Sequence, residues 1–286
     1  MLSLNTNIAS LTSQNSLAAT QKNLSTSMAR LGTGFRVNSA MDDAAGLQIA
    51  TRLDSQTRGM AVAQRNAQNG ISMMQTAEGS FKEVTDILQR MKDLATQSAN
   101  GTSSSADQTS MQAEYDSLGD ELTNIMNNTT FGGTKLLKGG TIAGSVTFQI
   151  GASASETMIV DQTSNMTALD TALGAASGTY TTPGTPGTDI TSVAGANGTI
   201  TKLETAIAAV STVRSALGAA ANRLDHVYNN LANMSTNTAA AKGRIMDVDY
   251  ASETANMTSK QMLMQAGTSM LKQSNSMSQM VMSLMQ

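Results

Sequence analysis

The feature that most constrains this chain is a pair of apolar ladders between Ser39 and Ser98. Leu53, Met60, Ala67, Met74, Phe81, Leu88 and Ala95 recur every seven residues, and Ala63, Gly70, Ala77, Val84 and Met91 follow at an offset of three. That offset puts both ladders on one narrow face of an α-helix. No proline interrupts the stretch. At the helical rise, roughly 55 residues span on the order of 80 Å, well beyond an ordinary globular helix. Such a rod needs other helices to cover its stripe, so the rest of the chain is read by asking which segments supply them.

One partner is evident after Ile200. Leu203, Val210, Leu217, Leu224 and Leu231 repeat at seven, with Ala206, Val213, Ala220, Val227 and Met234 three positions on. A shorter seam, Met111, Tyr115, Leu118, Leu122 and Ile125, follows the turn-rich segment 99–105 and predicts a helix folding back antiparallel on the rod. The ends form another pair. Residues 2–36 carry Ile8, Leu11, Leu17, Leu24, Met28, Leu31 and Phe35, with a break at Gly32 and Gly34. After Gly243 a last helix carries Leu263, Met270, Met277 and Leu284, seven apart. Val146, Phe148 and Ile150 alternate with polar residues, as do Met158 and Val160, which predicts a β-hairpin. Residues 174–199, rich in Gly, Ser and Thr and holding Pro183 and Pro186, are expected to be an exposed, variable loop and the place for hydroxyl-linked sugars. Asn-x-Ser/Thr triplets at Asn23, Asn128 and Asn197 read as chance. The fold class is mainly α: a long antiparallel helical hairpin or coiled-coil bundle with a small β-hairpin tip.

Composition narrows the function. Aromatic residues are 3% of the 286 and there is no Trp, which suits thin helical layers rather than a thick globule. The chain has no Cys, so disulfide and thiol chemistry are excluded. A net charge of −3 argues against a nucleic-acid surface. No apolar run reaches membrane-spanning length, and the N-terminal stretch does not read as a cleavable secretion signal. Every acid lies between Asp42 and Glu253, so both ends are acid-free.

The candidate sites read as structural. Adjacent Asp42 and Asp43 point about 100° apart on a helix and do not face one substrate, whereas Ser39 and Asp42 have the spacing of a capping box for the long helix. Asp247 and Asp249 lack the glycine turn and closing Glu of a calcium loop and read as a solvated or inter-subunit charge pair. His226, the single histidine, cannot form a His-x-x-x-His zinc pair and is expected beside the Leu224–Val227 seam. The methionines from Met262 to Met285 have the chemistry of soft-metal ligands, but flexible packing is the stronger reading. No catalytic group, cofactor or metal is expected.

Several longer motifs resemble the bacterial flagellin family. They are Leu4-Asn-Thr-Asn-Ile8, Arg30-Leu-Gly-Thr-Gly-Phe-Arg-Val-Asn-Ser39, Asp42-Asp-Ala-Ala-Gly46 and Leu88 to Gly101 near the N-terminus. Toward the C-terminus they are Val213 to Gly218, Asn222-Arg-Leu224, Arg244-Ile-Met-Asp-Val-Asp-Tyr250 and Gln265-Ala-Gly-Thr-Ser269. The resemblance implies a subunit that leaves the cell unfolded through the flagellar type III channel and polymerises into the extracellular motility filament. It implies terminal helices 1–43 and 245–286 as the inner filament core, 44–140 and 200–244 as the rod, and 141–199 as the outer tip. Leu24, Met28, Leu31, Phe35, Leu263, Met270, Met277 and Leu284 are then core-packing residues, with both ends disordered in the free monomer. Gln89, Arg90, Leu94, Gln97 and Glu114 correspond to the patch that contacts the Toll-like flagellin receptor, or the next subunit. Implied partners are further copies of the chain, an export chaperone, and cap and hook-junction proteins; neither nucleic acid nor membrane is among them. A hook–filament junction protein is the alternative, and a cytoplasmic coiled-coil adaptor a weaker one.

Overall fold

The computed structural model describes residues 7–283, with side chains to residue 276. Among these described residues, seven helices and four short strands follow in order. They are α1 (Ile8–Thr33), α2 (Ala44–Ser98), α3 (Ser105–Asn128), β1 (Thr130–Phe131), β2 (Thr134–Lys135), β3 (Ser145–Gln149) and β4 (Thr157–Asp161). Then come α4 (Thr163–Ala176), α5 (Gly178–Thr181), α6 (Val193–Met246) and α7 (Tyr250–Ser283). The chain divides into two compact units, residues 57–235 and residues 1–56 with 236–286.

In the first of these, the heptad ladders make the core. Met60, Ala67, Met74, Phe81, Leu88 and Ala95 of α2 are buried, as are Leu203, Val210, Leu217 and Leu224 of α6. Ion pairs mark the antiparallel register between the two helices: Arg214 to Glu78 at 3.5 Å and Lys92 to Glu204 at 2.9 Å. α3 folds back along α2, with Arg90 paired to Glu114 at 2.7 Å and the Gln108 amide donating to the Ser98 carbonyl at 3.0 Å. Its start carries a complete capping box: the Ser104 hydroxyl accepts from the Asp107 N–H while the Asp107 carboxylate accepts from Ser104.

The first hairpin turns through Gly132 and Gly133, both with positive φ (59° and 85°), the backbone a two-residue type I′ turn requires. The β3–β4 hairpin pairs Val146 with Val160 and Phe148 with Met158, as the alternation predicts. Gly70 of α2 admits it: a Cβ there would sit 2.9 Å from both Phe148 and Leu224. The small residue in the ladder is therefore what lets strand and helix side chains close over one point.

The segment 174–199 corrects the sequence reading. It is not one exposed loop. α4 reaches Ala176, α6 begins at Val193, and Ser177, Thr179, Tyr180, Ile190 and Ala196 are buried; exposure is continuous over residues 181–186 and again over 191–194. Three side chains of α3, one turn apart, hold the backbone of this strap. Gln112 accepts from the Ile190 N–H at 2.7 Å, Asp116 from Gly187 at 3.1 Å and Asp120 from Gly184 at 3.0 Å. Gly, Ser and Thr side chains cannot bury much apolar surface, so the strap is pinned through its main chain instead. The Tyr115 hydroxyl closes the network by donating to the Ala176 carbonyl at 2.6 Å, and burial pushes that phenol's pKa up.

The second unit contains α1, α7, the start of α2 and the end of α6. α1 ends where Gly34, at φ 78°, donates to the Arg30 carbonyl. Residues 2–6 of the predicted first helix lie outside the described residues. The capping reading at Ser39 is also corrected. Asp42 accepts from Ser39 and Asn38 within the preceding turn, while Asp43 accepts from the Gly46 N–H at 2.8 Å and caps α2. Gly243 does not break the chain; α6 continues to Met246, and Asp249 caps α7 by accepting from Ala251 and Ser252. Asp247 and Asp249 are both exposed, as a solvated pair would be, and of the two Asp249 serves as this cap.

Candidate assembly surface

α1 and α7 pair antiparallel. Asn7 donates to the Ser274 carbonyl at 3.3 Å, Ser10 to Asn275 at 3.2 Å, and Arg30 lies 3.9 Å from Glu253. Burial along α1 falls on Ser10, Ser13, Leu17, Thr20, Leu24, Ser27 and Leu31, spaced three and four. Along α7 it falls on Glu253, Met257, Lys260, Met264, Gly267, Leu271 and Ser274. Both are heptad seams whose apolar residues alternate with small or polar ones. At Gly267 the helices pack closely: a Cβ there would stand 3.3 Å from Leu17.

This seam is not the stripe that hydrophobicity alone picks out. Of the sequence-predicted core residues, Leu24 is buried and Leu31 half-buried, but Met28 is 52% exposed, Phe35 40%, Leu263 58% and Met270 65%. Leu263 and Met270 sit one residue before Met264 and Leu271, so they line the flank of the pair rather than its interior. There they edge a groove of about 340 Å³ together with Leu17, Ala266 and Gly267. Ile8, Leu11 and Met262 are exposed too, at 69%, 55% and 60%. The side chain of Met277, and Leu284 altogether, lie outside the described residues. The sequence signal for the true seam was present as spacing at Leu17, Leu24 and Leu31, but the Ser and Thr between them carry no hydrophobic weight.

The second predicted site lies on α2 and α3. Gln89, Arg90, Gln97 and Glu114 are exposed, and Arg90 reaches Glu114 with both its Nε and Nη2. Leu94 does not belong with them: it is 2% exposed and packs in the core with Met91, Ala95 and Tyr115. His226 is exposed on α6. Among the described residues, no three His, Cys, Asp or Glu side chains are grouped to hold a metal ion, and no helix is long and apolar enough to cross a membrane.

Two long helices with a returning third, and paired end helices that leave apolar flanks uncovered, describe a helical building block. Residues 4–141 match the family described as the bacterial flagellin N-terminal helical region, and residues 200–285 match the bacterial flagellin C-terminal helical region. The chain belongs to the bacterial flagellin family, and it is a structural subunit of the flagellar filament, in which copies of the chain homopolymerise. It is 37% identical over 380 residues to "Flagellin A" of Vibrio anguillarum, with all of both chains covered. It is 35% identical over 384 residues to "Polar flagellin C" of Vibrio parahaemolyticus, again over both full lengths. Those alignments are longer than this 286-residue chain, so both relatives carry residues it lacks. A solved structure assigned to a flagellar hook-associated protein of Vibrio parahaemolyticus shares the fold, at 16% identity and a TM-score of 0.53. It covers 72% of this chain and 100% of that one. The unmatched stretch between the two family regions holds the β3–β4 hairpin, α4 and the strap.

Proposed function

We propose that polymerisation runs through the α1–α7 pair, whose uncovered flanks are closed by neighbouring copies in the filament. The observation that carries this reading is the concentration of exposed large apolar side chains on these two helices: Ile8, Leu11, Met28, Met262, Leu263 and Met270. An apolar side chain brought from water into a packed interface contributes about 1.5–3 kcal/mol, so a row of them offsets the ordering of the ends. The chain travels unfolded through the flagellar channel, a chaperone covering the Leu263–Leu284 stripe until then, and meets cap and junction proteins at the distal end. The free subunit presents Gln89, Arg90, Gln97 and Glu114 to a Toll-like receptor, and the exposed hydroxyls of residues 181–186 are the sites open to sugars. The role is mechanical and uses no active site.

Seeded polymerisation followed by light scattering tests the assignment. Met270→Asp places a charge on the flank and is expected to stop elongation, whereas Thr181→Asp, in the exposed turn, leaves it at the wild-type rate. Deleting residues 254–286 is expected to abolish filaments while the helical signal of 57–235 persists. Filaments of normal length from the truncated chain would return the assembly surface to the rod.

A further inference from the structure

The described methionines differ widely in accessibility, and Met41 at 93% and Met234 of α6 at 39% are exposed outside α1 and α7. In the unit 57–235, Met60, Met74, Met91 and Met126 are 0–1% exposed and form part of the continuous cores. On α1 and α7, Met28, Met262 and Met270 are 52%, 60% and 65% exposed. Both groups bear the same thioether, but only the second is open to a dissolved oxidant. Hydrogen peroxide transfers one oxygen atom to a thioether sulfur: a sulfur–oxygen bond forms, the peroxide O–O bond breaks, water leaves, and sulfur is oxidised by two electrons. The product is a polar sulfoxide in place of an apolar group.

The surroundings of Met270 give that change its consequence. The groove it edges is walled by Thr12, Ser13, Ser16, Leu17 and Thr20 of α1. The hydroxyls of Thr12, Ser13 and Thr20 already donate to the carbonyls of Ile8, Ala9 and Ser16 within their own helix. Three of the four wall hydroxyls are thus engaged, leaving that of Ser16 alone to meet a sulfoxide oxygen covered at this groove, and moving such a polar acceptor out of water costs more than moving the thioether it replaces. Unoxidised methionine is instead a flexible group that fits an irregular apolar contact.

We propose that Met28, Met262 and Met270 form an oxidation-sensitive gate on assembly: peroxide converts the free subunit to a sulfoxide form that is refused by the growing filament end, while the rod stays folded. The proposal rests on the reading of the α1–α7 flanks as the assembly surface. Once covered by neighbours, the same sulfurs are shielded, so the gate acts before incorporation and not after.

The test is a sorting experiment on the full chain. Purified subunit is partly oxidised with hydrogen peroxide, added to seeds, and separated into filament and supernatant; each methionine is then mapped by peptide mass spectrometry. Sulfoxide at Met28, Met262 and Met270 is expected to be at least tenfold enriched in the supernatant, and circular dichroism of the oxidised subunit to retain the helical signal of the rod. Equal sulfoxide content in filament and supernatant at all three positions overturns the gate. So does a loss of helical signal that tracks oxidation, because exclusion would then follow from unfolding. Met270→Asp separates the two readings. If it elongates normally, the assembly surface itself is misplaced; if it stops elongation while the sulfoxide forms are incorporated freely, the surface stands and the gate falls.

Discussion

Leu94→Ala distinguishes a core residue from a recognition residue on α2. The side chain is 2% exposed, between Met91 and Ala95 in sequence and in the same core as Tyr115 and Leu203. Truncation to Ala removes three carbon groups at about 0.8 kcal/mol each, or about 2.4 kcal/mol of transfer free energy. The rigid walls of α2, α3 and α6 relax incompletely, and the residual cavity raises the cost to about 3–4 kcal/mol, inside the range of about 2–5 for buried Leu→Ala changes. That is more than a hundredfold in the folding equilibrium at about 1.4 kcal/mol per tenfold. The comparison is Arg90→Ala. Its ion pair with Glu114 is short, at 2.7 Å, but the two side chains are 54% and 47% exposed, and such pairs contribute about 0–1 kcal/mol. Urea unfolding of the unpolymerised subunit, followed by far-ultraviolet circular dichroism, reads both. If Leu94→Ala costs no more than Arg90→Ala, the placement of Leu94 in the core is refuted. The corollary is practical: reduced receptor activation by Leu94→Ala reports lost stability, and the patch is tested with Arg90, Gln97 and Glu114.

Two further outcomes follow from the same geometry. In Gly119→Ala the new Cβ collides with the Thr179 hydroxyl and lies 2.6 Å from that of Ser177, both buried and hydrogen-bonded to each other. Overpacking of this kind costs about 1–3 kcal/mol, so the strap is expected to loosen and the amide protons of Gly187 and Ile190 to exchange faster. A wild-type exchange rate would show that the strap is not packed on α3. Acid acts on the caps. Hydrogen bonds from the Ser252 hydroxyl and N–H, then from the Ala251 N–H, hold the Asp249 carboxyl below its ordinary value of 3.8. The ionised form is thus favoured in the folded chain. Its contribution is complete above that ordinary value and is lost as pH falls through the lowered folded one. Asp249→Asn is therefore expected to weaken the α7 start at pH 7 and to converge on wild type as pH falls through the lowered folded value, as read by helical signal against pH. A difference that persists at acid pH would place the effect elsewhere.

How much of this was legible in the chain depends on the kind of interaction. Long-range periodicity of large apolar residues was enough for α2, α3 and α6, because Leu, Met and Phe at seven-residue spacing leave one stable arrangement in water. The alternation from Val146 to Val160 was enough for the hairpin, since a one-residue slip would expose its apolar face. The motifs at both ends carried the family. Tertiary structure alone decided three things. It pinned the 177–190 strap through main-chain N–H groups donating to an α3 amide oxygen and two α3 carboxylates, an attachment with no hydrophobic pattern to betray it. It moved the cap of α2 from Ser39 to Asp43, because Asp42 was already engaged in the turn before. And it chose, between two adjacent heptad stripes on α7, to half-bury Met257, Met264 and Leu271 and to leave Leu263 and Met270 outside. A single helix displays both stripes equally. The seam against α1, where a Cβ at Gly267 would stand 3.3 Å from Leu17, is the tertiary contact that distinguishes the inward stripe from the exposed one.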